Sequence, residues 1–239
     1  MSTHDLESEL AKRRVAHGEN RLPPLAAVVV ALVAYSAMPT SLLVLPRFVV
    51  PAIEVLLLVA LVVTNPRRLT RETRWSRIAS AALAAVMILS NLAALGLLLG
   101  EISSSRASGQ NLLLGAMQIW VTNVIGFGLL YWELDRGGPV RRRSVRRDQL
   151  PAADWRFSQD ENDDAVHEVS RGSSKTSGWV PIFVDYLYVS LTNSSAFSPT
   201  DTMPLTTRAK VLMGIQASSA LLVSLLLVAK AVGSLGSGG

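Results

Sequence analysis

The sequence predicts an all-α fold, a polytopic transmembrane bundle of about six helices with the last two as a hairpin. Three observations carry this expectation. The apolar residues gather into long blocks, the arginines crowd into alternate connections between those blocks, and no block shows the two-residue alternation of a half-buried strand. The chain of 239 residues is 49% hydrophobic, with a mean hydropathy of +0.34. A run of about 18 or more apolar residues is enough to cross a hydrocarbon core of roughly 30 Å. In lipid each such segment has to satisfy its own backbone groups, which selects helix over strand.

Residues 1–23 form a polar arm, expected in the cytoplasm. The arm lacks the short apolar core and small-residue cleavage site of a secretory leader. The apolar run after Pro23 is therefore read as a retained first span, 24–45. Proline suits that start, because the first helical turn has no use for its missing N–H. Pro46 and Arg47 make a tight connection to a second span, 48–64, and a third and fourth follow over 76–99 and 112–132. Residues 24–133 thus read as a four-helix membrane region.

The stretch 134–178 is polar. A basic block bounded by Arg141 and Arg147 precedes an acidic one that includes Asp160, Glu161, Asp163 and Asp164. Such composition buries little apolar surface, which predicts a disordered cytoplasmic linker. Two weaker spans, 179–197 and 209–235, make up a C-terminal hairpin of 179–235, and residues 236–239 form a flexible tail.

Orientation follows from the basic residues. With six crossings, nineteen Lys and Arg fall on one set of sides and four on the other. The positive-inside rule then puts the N- and C-termini in the cytoplasm of a bacterial plasma (inner) membrane. The same rule accounts for the net charge of +5, so nucleic acid is not an expected partner. The expected partners are the lipid bilayer, anionic lipid at the basic block from Arg141 to Arg147, and further copies of the chain in a homo-oligomer. The absence of cysteine excludes disulfides and thiolate chemistry. His4, His17 and His167 are far apart, and no zinc-protease, phosphate-loop or nucleophile–base pattern is present. No enzyme activity, cofactor or metal is predicted.

Ionisable and polar groups within spans are the candidate sites, because burying them in lipid is costly. Glu54 lies in the second span and Asp185 in the fifth; Asp201 follows the fifth. The run Thr192, Asn193, Ser194 and Ser195 is too polar for a lipid-facing surface, and Pro199 then stops a helix. Thr200 and Asp201 suit the cap of a following turn. Together these groups are candidates for lining a pore or binding a solute. Asn91, Gln118, Asn123 and Gln216 read as interhelical glue, and the first three are also the partners expected for Glu54. Trp120, Tyr131, Trp132, Trp179, Tyr186 and Tyr188 read mostly as interfacial anchors.

The segment from Asp185 to Lys210, DYLYVSLTNSSAFSPTDTMPLTTRAK, carries two resemblances. It distantly resembles the pore module of potassium-channel-type proteins. Asp201 stands where that module has its filter aspartate, and Pro204, Leu205, Thr206 and Arg208 follow at similar spacing before a long last helix. Ser198, Pro199 and Thr200 occupy the place of the filter glycines, so potassium selectivity is not implied. The chain also resembles an uncharacterised family of bacterial multi-pass membrane proteins, a domain of unknown function. Tyr186, Tyr188, Thr192, Thr200, Asp201 and Arg208 carry that likeness, with the Tyr131-Trp132-Glu133-Leu134-Asp135-Arg136-Gly137-Gly138-Pro139 stretch. The leading expectation is a channel or transporter for a small ion or polar solute. The alternative is a structural or regulatory membrane protein that recruits a cytoplasmic partner through its 134–178 linker.

Overall fold

The computed structural model describes residues 18–64, 68–69, 73–104, 109–161, 164–195 and 202–236. Six helices organise it: α1 Leu22–Ser36, α2 Val49–Thr64, α3 Arg74–Ser104, α4 Gly109–Leu134, α5 Phe183–Ser194 and α6 Thr207–Gly236. Two short ribbons accompany them. Strand β1, Glu19–Asn20, pairs antiparallel with β2, Arg68–Leu69. Strand β3, Trp155–Phe157, pairs antiparallel with β4, Thr202–Pro204, with Trp155 opposite Pro204 and Phe157 opposite Thr202. The all-α class is observed, and each helix falls on an expected span.

Local chemistry sets the helix ends. The first expected span runs to residue 45, but α1 stops at Ser36. Pro39 follows with no donor for another helical turn, and Arg47 donates to the carbonyls of Ser36 and Met38, each at 3.2 Å. A cation on the last carbonyls of a helix answers their unpaired acceptors and the negative end of its dipole. Helix α3 opens on Thr73 and Ser76, whose hydroxyls each accept the other's backbone N–H at 3.0 Å. Three segments are long and apolar enough to cross a membrane: Arg74–Ile102, Gln110–Ser144 and Thr207–Ala229. Helices α1 and α2 are apolar but shorter. Helix α5, with 12 residues, is only about 18 Å long at 1.5 Å per residue.

Helix α4 is the centre of the bundle. Its apolar window is 67% buried, against 39% for that of α3 and 28% for that of α6. One apolar cluster joins α1, α3, α4, α5 and the start of α6 around Phe127, Tyr131, Trp155 and Tyr186. A second fills the opposite end around Leu42, Leu98, Ile119 and Val223. The aromatics expected at membrane interfaces are partly core instead, since Tyr131 and Tyr186 are fully buried and Trp132 is 6% exposed. Tyr188, half exposed, keeps an outward position.

The directions of the helices decide the topology. Arg21, at the start of α1, donates to the Leu61 carbonyl near the end of α2, and Ser80 near the start of α3 donates to Glu133 at the end of α4, at 2.9 Å. The start of α5 lies at that same end, where Glu19 accepts the N–H of Phe183 at 2.7 Å. The start of α6 lies there too, with Arg208 donating to the Leu134 carbonyl at 3.4 Å. The expected hairpin of 179–235 is therefore corrected. Helices α5 and α6 run side by side in the same direction, both against α4, and the chain is back at its starting end by Thr202.

The stretch expected to be a disordered linker is folded over this end of the bundle as a cap, in residues 134–161 and 164–178. Leaving α4, the chain turns through Arg136, Gly137 and Gly138, all at positive φ (53°, 83° and 97°). Glycine takes such angles freely, whereas arginine there is uncommon. Arg136 is held by the Trp155 carbonyl at 3.3 Å and by Asp160. Strand β3 then carries Trp155, with no exposed surface, into the core.

Candidate functional site

The cap is built on charges that face inward. Arg142 has no exposed surface and donates to three carbonyls: Trp132 at 2.7 Å, Asp135 at 3.3 Å and Pro181 at 3.0 Å. Trp132 lies in the last turn of α4 and Asp135 directly follows that helix, so the guanidinium closes its end. Its Nη2 is 3.8 Å from Glu19, and its Cζ lies 4.9 Å from the Tyr186 ring centroid. Glu19 in turn accepts from Trp132 Nε1 at 2.9 Å. Asp154, also fully buried, takes Arg208 Nε at 2.6 Å and the Thr206 hydroxyl. Burial pushes the Asp160 carboxyl up, but Arg136, the Ser174 hydroxyl and the Phe157 N–H outweigh it and leave the group below its ordinary value. Arg142 is thus removed from the anionic-lipid contact expected of the basic block, while Arg141 stays exposed.

Beneath the cap a polar seam joins α4, α5 and α6. Gln216 on α6, fully buried, is its hub. Its Nε2 donates to the Ser190 carbonyl at 3.0 Å, the Ser190 hydroxyl at 2.6 Å and the Ser194 hydroxyl at 2.8 Å. Its Oε1 accepts from Tyr131 at 2.6 Å and Asn193 at 2.9 Å. Asn193 also donates to the Met213 carbonyl at 3.0 Å, and Ser190 to the Val124 carbonyl at 2.6 Å. Asn123 reaches Ser219 at 2.6 Å. Close approach of α5 depends on Gly128, where an added Cβ would come 3.3 Å from Leu187 Cα.

The expected site residues separate on this geometry. Asn193 and Ser194 enter the seam. Thr192 and Ser195 bond carbonyls of their own helix, Tyr188 at 2.9 Å and Leu191 at 2.8 Å, so their hydroxyls serve α5 itself. Asp185 accepts the Ile182 N–H at 2.7 Å, satisfying a free donor at the start of α5. Thr200 and Asp201 lie outside the described residues. Gln216, expected only as glue, proves to be the hub.

Glu54 stands apart from the seam. It is 2% exposed and lines a cavity of about 10 Å³ with Tyr35, Ser90, Asn91 and Thr122. Its expected hydrogen bond to Asn91, Gln118 or Asn123 is not formed, and its Oε2 has no partner. A larger cavity, about 70 Å³, opens at the cap end between α1, α2, α3 and α4, where Arg21 and Arg77 meet apolar walls. Among the described residues no group of three His, Asp or Glu is placed to hold a metal. No family model, curated protein or solved structure matches the chain.

Proposed function

We propose that this protein is a multi-pass membrane protein that passes a small ion or polar solute, with α5 as a re-entrant helix beside the path. The reading of α5 carries the proposal. A 12-residue helix enters from the cap end, stops beside Gln216 and brings Asn193 and Ser194 to mid-depth. Polar and interrupted backbone at membrane depth is tolerated where it is buried in protein or lines a wet cavity. The outer surface supports the membrane setting, since Leu56, Val63, Ile78, Leu89 and Val228 are each more than 60% exposed. Water disfavours so many large apolar side chains exposed on the helices, whereas lipid does not.

On this reading the chain crosses five times instead of six. Of the Lys and Arg among the described residues, only Arg47 and Lys230 then fall on the side away from the cap. That asymmetry is sharper than with six crossings, and by the positive-inside rule it favours a cytoplasmic cap. Arg47, on the poor side, is already used to close α1.

Flux into liposomes carrying the purified protein tests the function. With probes for sodium, potassium, protons, chloride and small neutral solutes, at least one is expected to cross. Gln216→Leu and Asn193→Leu are each expected to change that flux by about tenfold or more, the scale of about 1.4 kcal/mol at a barrier. Ser224→Ala, whose hydroxyl bonds only its own helix at Ala220, should leave flux unchanged. Absence of flux for every probe, or unaltered flux in both seam variants, rejects the proposal.

A further inference from the structure

Glu54 lies outside the seam that the permeation reading uses, and its surroundings point to a ligand of their own. The side chain is 2% exposed, Oε2 has no hydrogen-bond partner, and no Lys or Arg among the described residues pairs with it. A buried carboxylate with neither a cation nor donors is expensive by several kcal/mol. Asn91, on α3, presents a second orphan. Its Nδ2 donates to the Ile119 carbonyl at 2.7 Å and to the Thr122 hydroxyl. That hydroxyl itself donates to the Gln118 carbonyl at 2.8 Å, so it can only accept from Asn91. These partners settle which way the Asn91 amide points, and its Oδ1 is left without a donor.

The two orphan oxygens line one cavity, from different helices, with the hydroxyls of Tyr35, Ser90 and Thr122 around them. Every polar side chain on this wall offers oxygen, the donor type of hard cations. The wall carries one formal negative charge, which a monovalent ion neutralises and a divalent ion overshoots in a low-dielectric setting. The volume, about 10 Å³, is close to the roughly 10–15 Å³ that holds one water. It therefore suits a single dehydrated ion. A proton on Glu54 would make its carboxyl a donor to one acceptor, such as the Asn91 oxygen. The Ser90 and Thr122 hydroxyls already give their protons to the Met87 and Gln118 carbonyls, and a cation also takes up the lone pairs they have left.

We propose that Glu54 and Asn91, with the surrounding hydroxyls, bind one sodium ion between α1, α2, α3 and α4. The site differs from the α5–α6 seam, and its test reads binding instead of transport, so either proposal can fail alone. Thermal unfolding of the full-length protein in detergent, followed by tryptophan fluorescence, is compared in sodium, potassium and choline chloride at equal ionic strength. Sodium is expected to raise Tm by several degrees and choline not at all, as for a ligand that binds only the folded state. Glu54→Gln removes the charge with little change of shape. It is expected to fold, to match or exceed wild-type Tm in choline, and to lose the sodium response. Radiolabelled sodium should bind saturably to wild type, with at least a tenfold loss of affinity in Glu54→Gln and in Asn91→Ala. A sodium response retained in Glu54→Gln overturns the site, and an equal response to potassium overturns its assignment to sodium. A wild type stabilised by acid but not by sodium overturns it as well, because the cavity would then hold a proton.

Discussion

Arg142 shows how much of this molecule rests on single ionic side chains. Its neighbours Arg141 and Arg143 differ from it by one position in sequence, yet only Arg142 loses all its exposed surface. Removing one partner of a buried ion pair costs about 3–5 kcal/mol, because the other charge is left uncompensated. Arg142→Ala is expected to lose stability on that scale in detergent unfolding, since it leaves the buried Trp132 and Pro181 carbonyls without this donor and Glu19 with Arg143 as its remaining cation at 3.7 Å. Arg146→Ala should be nearly silent, because Arg146 pairs with Asp148, whose side chain is 58% exposed, and exposed pairs contribute about 0–1 kcal/mol. The contrast was not legible in the sequence. A run of Arg141, Arg142 and Arg143 beside an acidic block says that pairing is available, but not which guanidinium turns inward. Composition also suggested disorder, because the apolar surface that the cap buries belongs to Trp155, Phe157 and the helix ends, and two aromatics weigh little in an average.

At the scale of elements, α5 depends on a small residue in its neighbour. Gly128 lets the α5 backbone approach α4, and a side chain there meets both Leu187 Cα and Leu187 Cδ1 at 3.3 Å. Gly128→Val is expected to destabilise by about 1–3 kcal/mol, the usual cost of overpacking, and to change flux by displacing Ser190 and Ser194. Gly96→Val, with open space around its added Cβ, should unfold close to wild type. Helix positions were readable from hydropathy, because lipid and protein interior both reward unbroken apolar runs. The length of α5 was harder to read. Apolar and aromatic residues continue from Trp179, but Pro181 lacks an N–H and the helix starts only at Phe183. Within the site, Asn193, Ser194 and Gln216 stood out as polar groups in apolar surroundings. That Thr192 and Ser195 turn back on their own helix depends on rotamers that no sequence shows.

For the whole molecule the question is which way each helix points. Hydropathy does not distinguish a helix that crosses from one that enters and stops, and the six-crossing expectation followed from treating every apolar block alike. The absence of cysteine makes the issue testable with single introduced thiols. In sealed vesicles Ser144→Cys and Met203→Cys are expected to react with an impermeant reagent from the same side, and Ser234→Cys from the other. Six crossings require Ser144 and Ser234 to share a side with Met203 opposite, and that pattern would exclude the re-entrant arrangement. Met203 is half exposed, so its reaction reports sidedness instead of burial.

The pairing of β3 with β4 also has a consequence in time. Asp154 and Arg208 are 54 residues apart in the chain, and β3 finds its partner strand only when residues 202–204 have been made. Chains are synthesised from the N-terminus at about 5–20 residues per second, so the first four helices and most of the cap exist for several seconds before their last fastening does. During that interval the Asp154 carboxylate has no Arg208, and Trp155 has no Met213 beside it. The cap therefore cannot close until the chain has reached Arg208 and Met213 at the start of α6. A chain interrupted before Thr202 would carry a cap that has no strand to close upon.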